Sequence, residues 1–281
     1  MPFDSGQRYL VGYQGSRFPW HDDVVTAPAA SDGGAPWPAP ARPPSASVTL
    51  QGVVCRDTRA GGVGRGVSLQ VPDGQSVAIY SRPGGQASDL LDVVAGLLRP
   101  SAGQVSVGGL AVHRLRGLEL DRYRRDRGLV SMRFPLLPSL SVTDNLLAAL
   151  QPRRADAVAR VRAATLLEFT GAAAAGRVRA GSLPADQRWR IMLARALMPA
   201  PRLVLAEDPA PGLEPSGASA ILDVLQQAHA RFGFTLLFAT SRAVAPSCCQ
   251  RLIRLADGMI VQDELIPGDD NWTIGRIHRI G

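Results

Sequence analysis

The chain has 281 residues, 46% of them hydrophobic, which is ample for a packed core and ordinary for a globular protein. Its net charge is +7, and all 31 basic residues are arginine, so no alignment of the chain can supply a lysine to any site. No apolar run reaches the roughly 18 residues that a membrane span needs, and three cysteines, Cys55, Cys248 and Cys249, make neither a disulfide framework nor a zinc site.

Residues 1–46 are rich in Pro, Ala, Gly and Ser and are expected to form a flexible tail, with Tyr9, Tyr13, Phe18 and Trp20 available to dock on something. The N-terminus lacks a basic start followed by an apolar stretch, so a cytoplasmic address is expected. Strand-like runs then follow: "SVTLQGVV", "GVSLQV", "QSVAIY" and "GQVSVGG". The stretch "AIYSRPGGQASDLLDVVAGLLRP" (78–100) reads as an apolar strand, a Gly-rich turn and a helix, which is the layout of a phosphate-binding loop. Such a loop should read G-x-x-x-x-G-K-[ST]. Here the lysine and two glycines are missing. Arginine does not replace lysine automatically, because its planar fork differs from a compact ammonium.

Arginine clusters at 114–127 and 153–164 are interleaved with apolar residues at helical spacing and read as solvated helix faces. The basic balance therefore does not identify a nucleic-acid module. After residue 143 the pattern turns helical in "TDNLLAALQ" and "ADAVARVRAATLLEFTG". "ADQRWRIMLARALM" carries an apolar stripe at Ile191, Ala194, Leu197 and Met198. Two short, continuous apolar runs, "RLVLAED" and "FTLLFAT", flank the helix "SGASAILDVLQQAHARFG" and suit strands of a parallel sheet buried on both faces. The order predicts an α/β fold with a helical subdomain at about 132–198. Residues 263–281 are expected to be a C-terminal extension.

From Val48 to Gln262 these runs, in this order, resemble the nucleotide-binding domain of ATP-binding-cassette (ABC) proteins. "LLDVVAGLLRPSAGQVSVGG" is similar to the helix and hairpin after that family's phosphate loop, and "GLVSMRFPLLPSLSVTDNL" to its glutamine-loop region. "GSLPADQRWRIMLARALMPAPRLVLAEDPAPGLEP" is similar to the signature motif running into the Walker B strand. "LLFATSRAVAPSCCQRLIRLADGMIV" is similar to the histidine-loop strand and closing hairpin. "LLPSLSVTDN" is nearest the subfamily serving lipoprotein and macrolide export. The resemblance implies an ABC-type P-loop NTPase fold, with a RecA-like mixed sheet, an antiparallel β region and a helical subdomain over residues 47–262.

Carried over residue by residue, the resemblance implies a degenerate nucleotide site. Ser81 stands at the loop's first glycine. Gly84 and Gly85 remain. Gln86 replaces a glycine, Ala87 replaces the lysine, Ser88 keeps the hydroxyl, and Asp89 replaces a second hydroxyl. The lost charge-assisted hydrogen bond is worth about 1.5–3 kcal/mol. A like charge at ~4 Å adds up to ~4 kcal/mol at an effective dielectric of ~20. The backbone nest and helix N-terminus could still attract an anion. Asp57 falls where the adenine-stacking aromatic belongs, and Met132 at the sensing glutamine. The signature reads Leu183, Pro184, Ala185, Asp186, Gln187. Glu207-Asp208 inverts the usual Asp-Glu, leaving the base one methylene short, and Ser241 stands at the switch histidine. Met132 and Ala87 are expected to pack, Asp57 to be solvated and Ser241 to cap a strand end.

The expectation is therefore a catalytically inactive ABC subunit, with no metal and no bound cofactor. It would act as a structural or regulatory partner to a membrane-spanning subunit and a second cassette, peripheral at the inner face of the membrane and without nucleic acid. The alternative is a divergent working ATPase using Arg82, Ser88, Glu207 and Asp208 with ATP and Mg2+; a third possibility is a site for some other anion.

Overall fold

A computed structural model describes residues 45–55, 66–151, 156–209, 215–242 and 248–266. Asp57, the N-terminal aromatics and most of the proposed C-terminal extension lie outside these residues. The chain first forms β1 (Val48–Val54), β2 (Val67–Val71) and β3 (Ser76–Tyr80), then helix α1 (Ala87–Val94). β4 (Ala102–Val107), β5 (Leu110–Ala111), α2 (Gly117–Arg125) and β6 (Gly128–Val130) follow. The helical stretch holds α3 (Val142–Ala148), α4 (Ala157–Phe169) and α5 (Ala185–Leu197). The chain then returns to β7 (Leu203–Glu207), α6 (Pro215–Phe232), β8 (Thr235–Thr240), β9 (Arg251–Ala256) and β10 (Met259–Leu265). β10 thus continues three residues beyond Gln262.

Two sheets result. One is antiparallel, in the order β2-β1-β4-β5; the other runs β10-β9-β3-β8-β7-β6. In the larger sheet β9, β3, β8, β7 and β6 are mutually parallel, and only β10 is antiparallel to its neighbour. The mixed sheet, separate antiparallel sheet and helical stretch are the α/β architecture expected from the sequence. The closing turn of β9 and β10 is Asp257-Gly258, with φ of 49° and 75°. Two successive positive φ angles are what a two-residue hairpin loop needs to follow the strands' right-handed twist.

The central strands are buried on both faces because their alternate side chains serve two different cores. Val204 and Ala206 of β7, Leu236 and Phe238 of β8, and Ala78 of β3 face the core shared with α3, α4, α5 and α6. Leu203 and Leu205, Leu237 and Ala239, and Val77 and Ile79 face the core shared with α1 and the antiparallel sheet. The stripe on α5 is wider than its sequence spacing predicts: Trp189, Met192, Leu193 and Ala196 are buried along with Ile191, Ala194, Leu197 and Met198.

The first arginine cluster lies on α2, where only Tyr123 is buried. Its hydroxyl donates to the Val94 carbonyl at 2.6 Å. Arg124 donates to Gly96 O at 2.6 and 3.1 Å. Both satisfy carbonyls at the end of α1, where a helix leaves its last acceptors without intrahelical donors.

Candidate functional site

The site lies at the C-terminal ends of the parallel strands, where open α/β sheets place their ligands. β3 ends at Tyr80 and the chain turns through residues 81–86 into α1. Ser81 N donates to Thr240 O at 3.1 Å, tying the start of this loop to the end of β8. The Gly85 amide donates to Arg82 O at 2.7 Å, and Gly84 takes φ +76°.

Ser81 changes how the loop closes. Its buried hydroxyl accepts from the Ala87 amide at 3.2 Å, the first N–H of α1. A Cβ added at Gly85 would fall 2.7 Å from both Arg82 O and Ser81 Oγ. The loop interior is therefore filled by its own serine, and the Gly85 and Ala87 amides already have acceptors. The backbone nest expected from the sequence is to this extent spent inside the protein. Ala87 is buried, as expected of a packing residue, and Arg82 is exposed. Gln86 leans toward the closing hairpin, where a Cβ on Gly258 would meet its Oε1 at 3.3 Å. Ser88 and Asp89 are half-buried on the first turn of α1.

One turn further along α1 a charge cluster begins. Asp92 lies on α1 within the apolar run "LLDVV", with its side chain 12% exposed. Arg133, from the segment after β6, pairs with both Asp92 oxygens; the bond from its second terminal nitrogen to Oδ1 is 3.0 Å. That same nitrogen donates to Glu207 Oε1 at 2.6 Å. The other oxygen of Glu207 accepts from the Ser131 hydroxyl. Both oxygens of Glu207, the first residue of the inverted Glu-Asp pair, are thus engaged within the chain.

Burial raises the Asp92 carboxyl above the ordinary carboxylate value, the Arg133 guanidinium pulls it back down, and Glu207 and Asp89 add repulsion. For Arg133, burial opposes the charge, but its two carboxylates outweigh burial and hold the guanidinium more firmly protonated. The two directions pull differently on one contact. A fork geometry engaging two carboxylates identifies the neutral-pH state as ionic.

Asp208, next to Glu207, turns the other way. Its Oδ2 accepts from Thr240 Oγ1 at 2.9 Å and from the Ser241 amide at 2.8 Å, with Ser241 Oγ at 3.5 Å. Its Oδ1 is buried without a hydrogen-bond partner and lies 4.0 Å from Arg242 Nε. Ser241 does sit at a strand end, where its amide fixes the carboxylate. Met132 departs from expectation: it is 38% exposed rather than packed, while the residues on either side of it hold Glu207.

The signature residues form a separate group. Leu183 is buried, Pro184 caps α5 without a side-chain bond, and Ala185, Asp186 and Gln187 begin the helix. Pro184 O accepts the Arg188 amide at 3.0 Å. Sequence reasoning missed Asp92, Ser131, Arg133 and Thr240. Asp92 carried a readable signal, since a carboxylate inside an apolar helical run needs a cation.

Among the described residues no helix is long and apolar enough to cross a membrane. Residues 65–211 match the family model described as ABC transporter. The chain is 32% identical over 207 residues to the phosphonates import ATP-binding protein PhnC of Rhizobium etli, covering 70% of this chain and 74% of the relative. It is 33% identical over 206 residues to the macrolide export ATP-binding/permease protein MacB of Burkholderia pseudomallei, covering 73% of this chain and 31% of that protein. Among solved structures, the dimeric ATP-binding cassette MJ0796 in a post-hydrolysis state bound to ADP and Pi superposes with a TM-score of 0.69 at 25% identity, over 79% of this chain and 100% of that one.

Proposed function

The chain belongs to the ABC transporter family, and on that premise we propose that it is an ATP-binding-cassette subunit of a membrane transporter that does not itself turn over nucleotide. Its role in the complex is structural or regulatory. The partners are a membrane-spanning subunit and a second cassette, and the chain sits at the inner face of the membrane through them. The relatives' names support this assembly: MacB is an ATP-binding/permease protein and MJ0796 is dimeric.

The family uses ATP and Mg2+, and the residues here do not fit that pair. The observation that carries the reading is the engagement of Glu207 by Arg133 and Ser131. A divalent cation would have to displace a guanidinium that also satisfies buried Asp92. Ala87 offers no charge to phosphate, and Ser81 fills the loop.

The test is equilibrium binding of labelled ATP with Mg2+ to the purified full chain. The reading expects a Kd weaker than micromolar, a threshold of about 8 kcal/mol; tighter binding overturns it. A divergent working ATPase is favoured by one observation, the 32% identity to a relative named as an import ATP-binding protein, and Ser88 and Asp208 remain for it. That reading requires partner-dependent turnover that disappears in Asp208→Asn.

A further inference from the structure

The segment from Ser131 to Pro138 is fastened at both ends to different halves of the fold. On the helical side, Asn145 of α3 accepts from the Leu137 amide at 2.7 Å and donates to Leu137 O at 3.0 Å. Arg195 of α5 donates to Pro135 O at 2.9 Å and to Phe134 O. On the sheet side, the Ser131 hydroxyl and the Arg133 guanidinium reach Glu207 at the end of β7 and Asp92 on α1. Ser131 Oγ also accepts the Arg133 amide at 3.2 Å.

We propose that Arg133 is a resident cation that locks this segment to α1 and β7 without any ligand, so that the helical stretch and the sheet are held in one arrangement whether or not nucleotide is present. The proposal rests on the reading of an unfilled nucleotide site for its biological sense, but the lock itself is a property of this chain's own side chains. Two carboxylates from separate elements, β7 and α1, converge on one guanidinium borne by a third. Removing the guanidinium leaves the buried Asp92 facing Glu207 with no counter-charge, so the segment should be driven off the sheet rather than merely loosened. A lysine at the same place keeps the charge but lacks the planar fork that grips both carboxylates.

Hydrogen exchange on the full chain tests the lock, read at the amides of Arg133, Phe134 and Leu137 with and without ATP and Mg2+. In the unmodified chain these amides exchange at the same rate with and without nucleotide. In Arg133→Gln they exchange at least tenfold faster, in Arg133→Lys by an intermediate factor, and in both variants protection on β8 is unchanged. Arg133→Lys serves as the readable variant if Arg133→Gln fails to fold. Unchanged exchange at 131–138 in the variants overturns the lock. So does an equal loss of protection at 131–138 and on β8, which marks general destabilisation. Exchange in the unmodified chain that slows severalfold on adding nucleotide also overturns it. Tight nucleotide binding in the separate equilibrium assay, with exchange at 131–138 unaltered by nucleotide and accelerated in the variants, overturns the inactive reading alone and leaves the lock standing.

Discussion

Ser81 stands where the resemblance puts a glycine and Asp92 stands inside an apolar helical run, and each is matched by a partner. The Ser81 hydroxyl accepts the first amide of α1, so Ser81→Ala should cost about 1 kcal/mol, the range of one lost hydrogen bond, measured as a lower urea midpoint at unchanged slope. Asp92→Ala should cost about 1–2 kcal/mol. The cost of breaking a fully buried pair is larger, but the Arg133 side chain is 43% exposed and water screens the charge left behind. At this scale the sequence was legible in what it lacked. The missing lysine, the altered glycines and the inverted Glu-Asp could all be read directly. The replacement could not, because Asp92, Arg133 and Glu207 are brought together only by the packing of α1, the segment after β6, and β7. Met132 is apolar and still faces outward, because the residues on either side of it are tied to Glu207.

At the scale of elements, the longer strands and helices were legible as runs and stripes of apolar residues. Ser141 precedes α3, and its hydroxyl accepts the Asp144 amide at 3.1 Å while bonding the Asp144 carboxylate at 2.6 Å. Ser141→Ala should lower stability by about 1 kcal/mol and should speed hydrogen exchange first at the Asp144 amide. The apolar strand runs became β7 and β8, since continuous Val, Leu and Phe can be buried on both faces. What escaped the sequence were β5 and β6, of two and three residues, which are too short to carry a period and are fixed by neighbours. The width of the buried face on α5 escaped for a related reason: α3, α4, α6 and β6 all crowd one helix, and no single stripe encodes four contacts.

For the whole molecule, a buried histidine sets an acid limit. His229 Nε2 donates to Gly74 O at 2.9 Å and its ring meets Phe234 edge-on. Burial lowers its pKa below the ordinary 6.5, although the Gly74 carbonyl favours the protonated form. The unfolded chain therefore takes up a proton first as pH falls. Stability from this group is complete above about 6.5 and declines below it. Thermal unfolding followed from pH 7.5 to 5 should show that decline, and His229→Gln should flatten its histidine component.

The strands β3, β7 and β8 form a party wall between two rooms, each furnished by alternate side chains of the same backbone. Neither side can melt while the other stands. Calorimetry of the full chain should record one endotherm for both, and a Leu205→Ala hollow in one room should bring both down together.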